Sequence, residues 1–176
     1  MVPNDFLNSL WDNLPVLLIG GVLACVGAGI VLHTHKDARN RWQLSAYPVL
    51  AVYLFLVYYA TVINRTGGMV QETGFYPFWS YRMIAEGDAG LVIDNIANLL
   101  VFIPVGFLLR VLFPNINGRQ VLAIGFCISL SIEVMQLVLK RGMFEFDDMF
   151  HNSLGCVLGW VICGLVRKIR ADRNDS

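Results

Sequence analysis

The sequence predicts an all-α polytopic membrane helix bundle of about five transmembrane helices, with the N-terminus outside and the C-terminus cytoplasmic. Three observations carry that expectation. The 176-residue chain is 56% hydrophobic and only 15% charged, with a mean hydropathy of +0.60; a soluble domain carries about 25% charged residues. Long apolar runs recur, most of them near the ~20 residues that cross a hydrocarbon core. Lys and Arg are distributed unequally between the two sets of alternating connections, which is the signal that orients a membrane chain. The 13 Lys and Arg balance 13 Asp and Glu, so no bulk field attracts nucleic acid. The length fits one membrane domain, 1–176.

The spans follow in order as 13–32, 44–63, 91–113 and 121–139. A fifth, 153–166, is short unless its helix begins at Asp148, where Asp147 and Asp148 suit a helix N-terminus. Residues 1–13 hold Asp5 and Asp12 and no cation. They do not read as a signal peptide, so the first span is expected to stay in the chain. The first and third connections and the C-terminal tail hold nine Lys and Arg; the N-terminus and the other two connections hold four. The richer side is expected to be cytoplasmic. Cys25, Cys127, Cys156 and Cys163 lie in apolar runs without metal spacing and read as packing residues. His33 and His35, at i, i+2, do not share a helix face and read as interface residues.

Small residues mark close helix approaches: Ala24 with Ala28, and Gly155 with Gly159 as a GxxxG. The sequence favours packing within the chain over oligomerisation for these.

Ionisable residues inside spans are costly and often functional. The third span carries Asp94, Asn95 and Asn98 on one face, with Pro104 and Gly106 further along, where a proline is expected to bend the helix. The fourth carries Ser129, Glu133 and Gln136 on one stripe that Lys140 would continue. The structural reading holds Glu133 by Arg141 or Asn98. Asp148, Asn152, Gly155 and Gly159 fall on one face of the fifth helix. The second loop, 64–90, has an aromatic centre at 75–82 ending in Arg82, suited to an interfacial or re-entrant segment or to pairing a phosphate. In the expected orientation Arg82, Asp94, Asn95, Asn98, Glu133, Gln136, Arg141, Asp147, Asp148, His151 and Asn152 all fall in the outer half of the bilayer, implying a polar pocket open to the outer leaflet.

Two blocks then take on meaning together. Asn98-Leu-Leu-Val-Phe-Ile-Pro104-Val-Gly106-Phe resembles the N-x-x-x-F-x-P-x-G-F signature of the VanZ-like family. Glu133-Val-Met-Gln136, Arg141, and Asp147-Asp148 through Asn152 to Gly155 resemble its second block, E-x-x-Q … R … D-D-x-x-x-N-x-x-G. The resemblance covers about 77–159. It implies a multi-pass protein of the bacterial cytoplasmic membrane, without a cofactor, in a family whose founding member is associated with resistance to the lipoglycopeptide teicoplanin. Asn98, Pro104, Gly106, Glu133, Gln136, Arg141, Asp147, Asp148, Asn152 and Gly155 carry over by motif; Asp94 and His151 enter from position.

Three functions follow as expectations. The leading one is an envelope protein that lowers teicoplanin action, its polar pocket holding drug or a lipid-linked cell-wall precursor. The alternative is an intramembrane enzyme acting on a lipid or lipid-linked glycan, with Glu133 as general acid or base and Asp148 or Asp147 in the complementary role. In that case the aspartates would take that role or hold Mg²⁺ with Asn152, while Arg141 clamps a phosphate. The third is a scaffold whose polar network only holds helices together. Membrane lipid is the expected surrounding partner, and no nucleic acid or resident metal is expected.

Overall fold

The computed structural model describes residues 22, 26–27, 38–64 and 76–174. The expected first span, 13–32, lies outside the described residues apart from three helical positions. The chain divides into two units, Met1–Asn64 and Arg65–Ser176, each described by itself.

In the first unit, α1 (Ala38–Tyr58) runs through Pro48 and continues as a π-helical turn, Tyr59–Ile63. The Thr61 hydroxyl donates to the Val57 carbonyl at 2.8 Å, tying that wider turn to the helix before it.

The second unit contains α2 (Trp79–Ala85), α3 (Gly90–Leu112), α4 (Gly118–Leu139) and α5 (Phe146–Asn174). Among the described residues there are helices and turns and no strand. Among the described residues of the two units, four helices, α1, α3, α4 and α5, are long and apolar enough to cross a membrane; α3, at 23 residues, reaches about 34 Å. Large apolar side chains such as Ile93, Leu100, Val138 and Leu165 face outward. Glycines, serines and amides lie in the seams, as expected where lipid supplies no hydrophobic contrast between helices.

Local chemistry explains the ends. Asn117 and Gln120 form a reciprocal capping box at the start of α4, both bonds 3.0 Å. Lys140 ends α4 in the left-handed conformation, φ 54°. It therefore does not continue the polar stripe, because the helix has stopped at Leu139. α3 passes through Pro104 as one unbroken helix. α5 begins at Phe146, so Asp147 and Asp148 sit within its first turn rather than ahead of it. Part of the loop 64–90 is helical: α2 forms there, on the residues that read as an aromatic interfacial stretch.

α3 and α5 make the most extensive contact in the unit, running parallel, with α4 antiparallel beside α5. A Cβ on Gly106, Gly155 or Gly159 would collide with the carbonyl oxygens of Cys156, Leu99 and Ile103 respectively. The two backbones therefore touch directly, and the GxxxG of α5 serves packing within the chain.

Candidate functional site

The α4 stripe is buried: Ser129, Glu133 and Gln136 are each at most 2% exposed. They face the start of α5 because α4 and α5 are joined by the six residues 140–145, so the end of one helix meets the beginning of the other. Glu133 Oε2 accepts the Glu145 backbone N–H at 2.8 Å, which fixes the chain just before α5. Nearly two turns into α5, Asn152 donates from Nδ2 to the Ser129 hydroxyl at 2.8 Å. Asn152 Oδ1 is buried with no protein donor.

Asp147 is 1% exposed and closes the entry to α2. Its carboxylate accepts the Phe78 N–H (2.5 Å), the Ser80 N–H (2.8 Å) and the Ser80 hydroxyl (2.5 Å). The orphan donors at the start of α2 are thus satisfied by a carboxylate from another helix, where negative charge also suits the helix dipole. Phe78 sits there in the left-handed region, φ 63°, a conformation costing a side-chain-bearing residue about 1–2 kcal/mol. Asn95 donates to Ser80 Oγ at 3.2 Å, joining α3 to the same knot.

His151, 6% exposed, has both ring nitrogens engaged: Nδ1 with the Asp147 carbonyl at 2.6 Å, Nε2 with the Tyr81 hydroxyl at 2.8 Å. A carbonyl only accepts, so Nδ1 carries a proton; in the Nδ1–H tautomer Nε2 accepts from the Tyr81 hydroxyl. The two rings stack, 5.7 Å between centroids and 19° apart in plane. Asp148 takes a different direction and accepts from Asn98 Nδ2 at 2.6 Å, bridging α5 to α3.

The predicted residues are therefore brought together selectively. Asn95, Asn98, Glu133, Gln136, Asp147, Asp148, His151 and Asn152 gather where α4 ends and α3 and α5 begin, with Arg141 half-buried just after α4. Arg82 points away: its side chain is 83% exposed and pairs with Glu86 at 3.0 Å. Asp94 is also exposed; it lies 100° around the helix from Asn95, and the seam takes Asn95. Asn152 turns to α4, whereas Asp148, Gly155 and Gly159 meet α3, so the single face read from spacing divides between two neighbours. Ser80 and Tyr81 belong to the cluster and were not singled out from sequence. Their aromatic surroundings were visible there, but their partners lie 67 and 70 residues away.

Among the described residues no group of three or more His, Cys, Asp or Glu side chains is arranged to hold a metal ion. Asp147, Asp148 and Asn152, the set that would suit Mg²⁺, point to α2, α3 and α4 respectively. A cavity of about 600 Å³ runs beside the polar cluster between α4 and α5. It is mainly apolar, and Asp147 is the one predicted site residue on its wall.

Comparison with known proteins comes to the same region. The family model described as VanZ/LLP1 matches residues 44–167. "Protein VanZ" of Enterococcus faecium is 33% identical over 84 residues, an alignment covering 48% of this chain and 50% of that protein. The match thus spans about half the length of that curated relative. No solved structure matches.

Proposed function

The chain belongs to the VanZ/LLP1 family, and we propose that it acts in the bacterial cytoplasmic membrane, lowering susceptibility to teicoplanin-type lipoglycopeptides. In this reading the polar cluster faces the outer leaflet and binds the drug or a lipid-linked cell-wall component. The observation that carries it is the Asn152 amide: a 5%-exposed side chain with one end unsatisfied, inside a layer that also buries Glu133 and Gln136. An unsatisfied buried group costs about 1–3 kcal/mol. A ligand hydroxyl or amide placed against it recovers that cost, which gives the layer a reason to bind as well as to brace.

The enzyme alternative has less support. A general acid or base must reach a substrate proton, and Asp147 already accepts from Phe78 and Ser80, Asp148 from Asn98. Those carboxylates act as acceptors that hold α2 and α3.

The test is drug susceptibility in a teicoplanin-sensitive Gram-positive host expressing the native chain, Glu133→Gln or Asn152→Leu at matched membrane levels. The native chain alone should raise tolerance to teicoplanin more than to vancomycin. No change with the native chain removes resistance as the function. Loss of both variants from the membrane fraction marks the cluster as a scaffold.

A further inference from the structure

We propose that the cavity between α4 and α5 holds an acyl chain of an anionic phospholipid, with the lipid phosphate on Arg119. The groove runs beside the polar cluster and shares Asp147 with it, but nothing in the drug-tolerance reading uses its apolar length.

Its shape comes from the helix pairing. Gly118 lies against the Trp160 ring, and Gly125 lies against Cys156 and Ser153, which sets the antiparallel register. Arg119 is then at one end of the groove, and Phe146 with Pro77 at the other. By helix rise the ends are about 20 Å apart, most of the depth of a hydrocarbon core. Leu122, Phe126, Phe150 and Leu154 line the length between. A volume of about 600 Å³ lies within the range of small-molecule sites.

The cation at the mouth selects the occupant. Arg110 and Arg167, at the same end of the bundle, are engaged. Arg110 stands 4.3 Å over the Trp160 ring and donates to the Trp160 carbonyl at 2.8 Å. Arg167 donates to the Arg110 carbonyl at 2.8 Å. Arg119 is exposed, and among the described residues none pairs with it. An apolar trough running along the helices and ending at an open guanidinium matches a lipid whose tail lies along the groove and whose phosphate accepts from arginine.

The experiment uses the full chain in nanodiscs of phosphatidylcholine carrying spin-labelled phosphatidylglycerol or spin-labelled phosphatidylcholine. Electron spin resonance reads the motionally restricted fraction. The native chain should associate with the phosphatidylglycerol label about five-fold more strongly, the size of one cation near an anionic headgroup. Arg119→Gln should lower that preference to what the exposed Lys168 and Arg170 at the same end leave, and Arg119→Lys should keep it in full. Ala123→Phe, which fills the groove, should reduce restriction of both. All variants should keep the native thermal transition. Equal association with the native chain overturns the proposal, as does a preference undiminished by both Arg119→Gln and Ala123→Phe. Cys127 is exposed on the groove wall. Its efficient oxidative cross-linking to a second copy or to Cys25 would show protein filling the groove, and would also overturn the proposal.

Discussion

Asp147 grips Ser80, 67 residues earlier, by both its backbone N–H and its hydroxyl. This pairing anchors α2 to the start of α5 and places Tyr81 against His151. The residue that read as a cap for its own helix instead caps another.

Removing that cap should be expensive. Asp147→Ala leaves the donors of Phe78 and Ser80 without their acceptor and should destabilise the protein by about 2–4 kcal/mol. Ser80→Ala should cost about 1–2 kcal/mol. The double variant should fall well short of the sum, because both changes break the same bonds. Unfolding in mixed detergent micelles measures this; full additivity would sink the account.

The glycine seam gives a second expectation. Gly159→Ala drives a methyl group into the Ile103 carbonyl and should cost about 2–3 kcal/mol. Gly87→Ala is the contrast: φ is 113° there, but nothing lies near the added methyl. It should cost about 1 kcal/mol, from backbone strain alone. Thermal transitions of the purified variants should rank in that order.

His151 should carry a proton on Nδ1, directly visible in ¹⁵N chemical shifts. Tyr81→Phe should leave the tautomer unchanged, since the Asp147 carbonyl sets it, while moving the Nε2 resonance and costing about 1 kcal/mol. An Nε2–H tautomer in the native protein would contradict the hydrogen-bond directions.

The proposed orientation is open to a direct check. Gly142 lies in the turn between α4 and α5, next to the polar cluster. Gly142→Cys should react with a membrane-impermeant thiol reagent in intact cells. Labelling only after the cells are broken, at good expression, would place the cluster on the cytoplasmic side and end the outer-leaflet reading.

Much of this architecture was legible in the chain. The expected spans at 91–113 and 121–139 match α3 and α4 to within a few residues, because an apolar run of fixed length is a local property. The spacing of Ser129, Glu133 and Gln136 placed them on one face, and that face is buried. Gly155 and Gly159 declared a close helix contact, and the contact is there.

What the sequence by itself determined was therefore four of the five expected membrane helices, the faces that carry polar or small residues, and the family. The tertiary structure decided the pairings: Asp147 with Ser80, Asp148 with Asn98, Asn152 with Ser129, Arg82 outside, and an apolar groove beside the polar layer. The physical reason is one of range. Helix length and periodicity arise within a few turns of chain. The rotation of each helix about its axis is set by its neighbours, and a rotation of 100° is enough to bury Asn95 and leave Asp94 exposed.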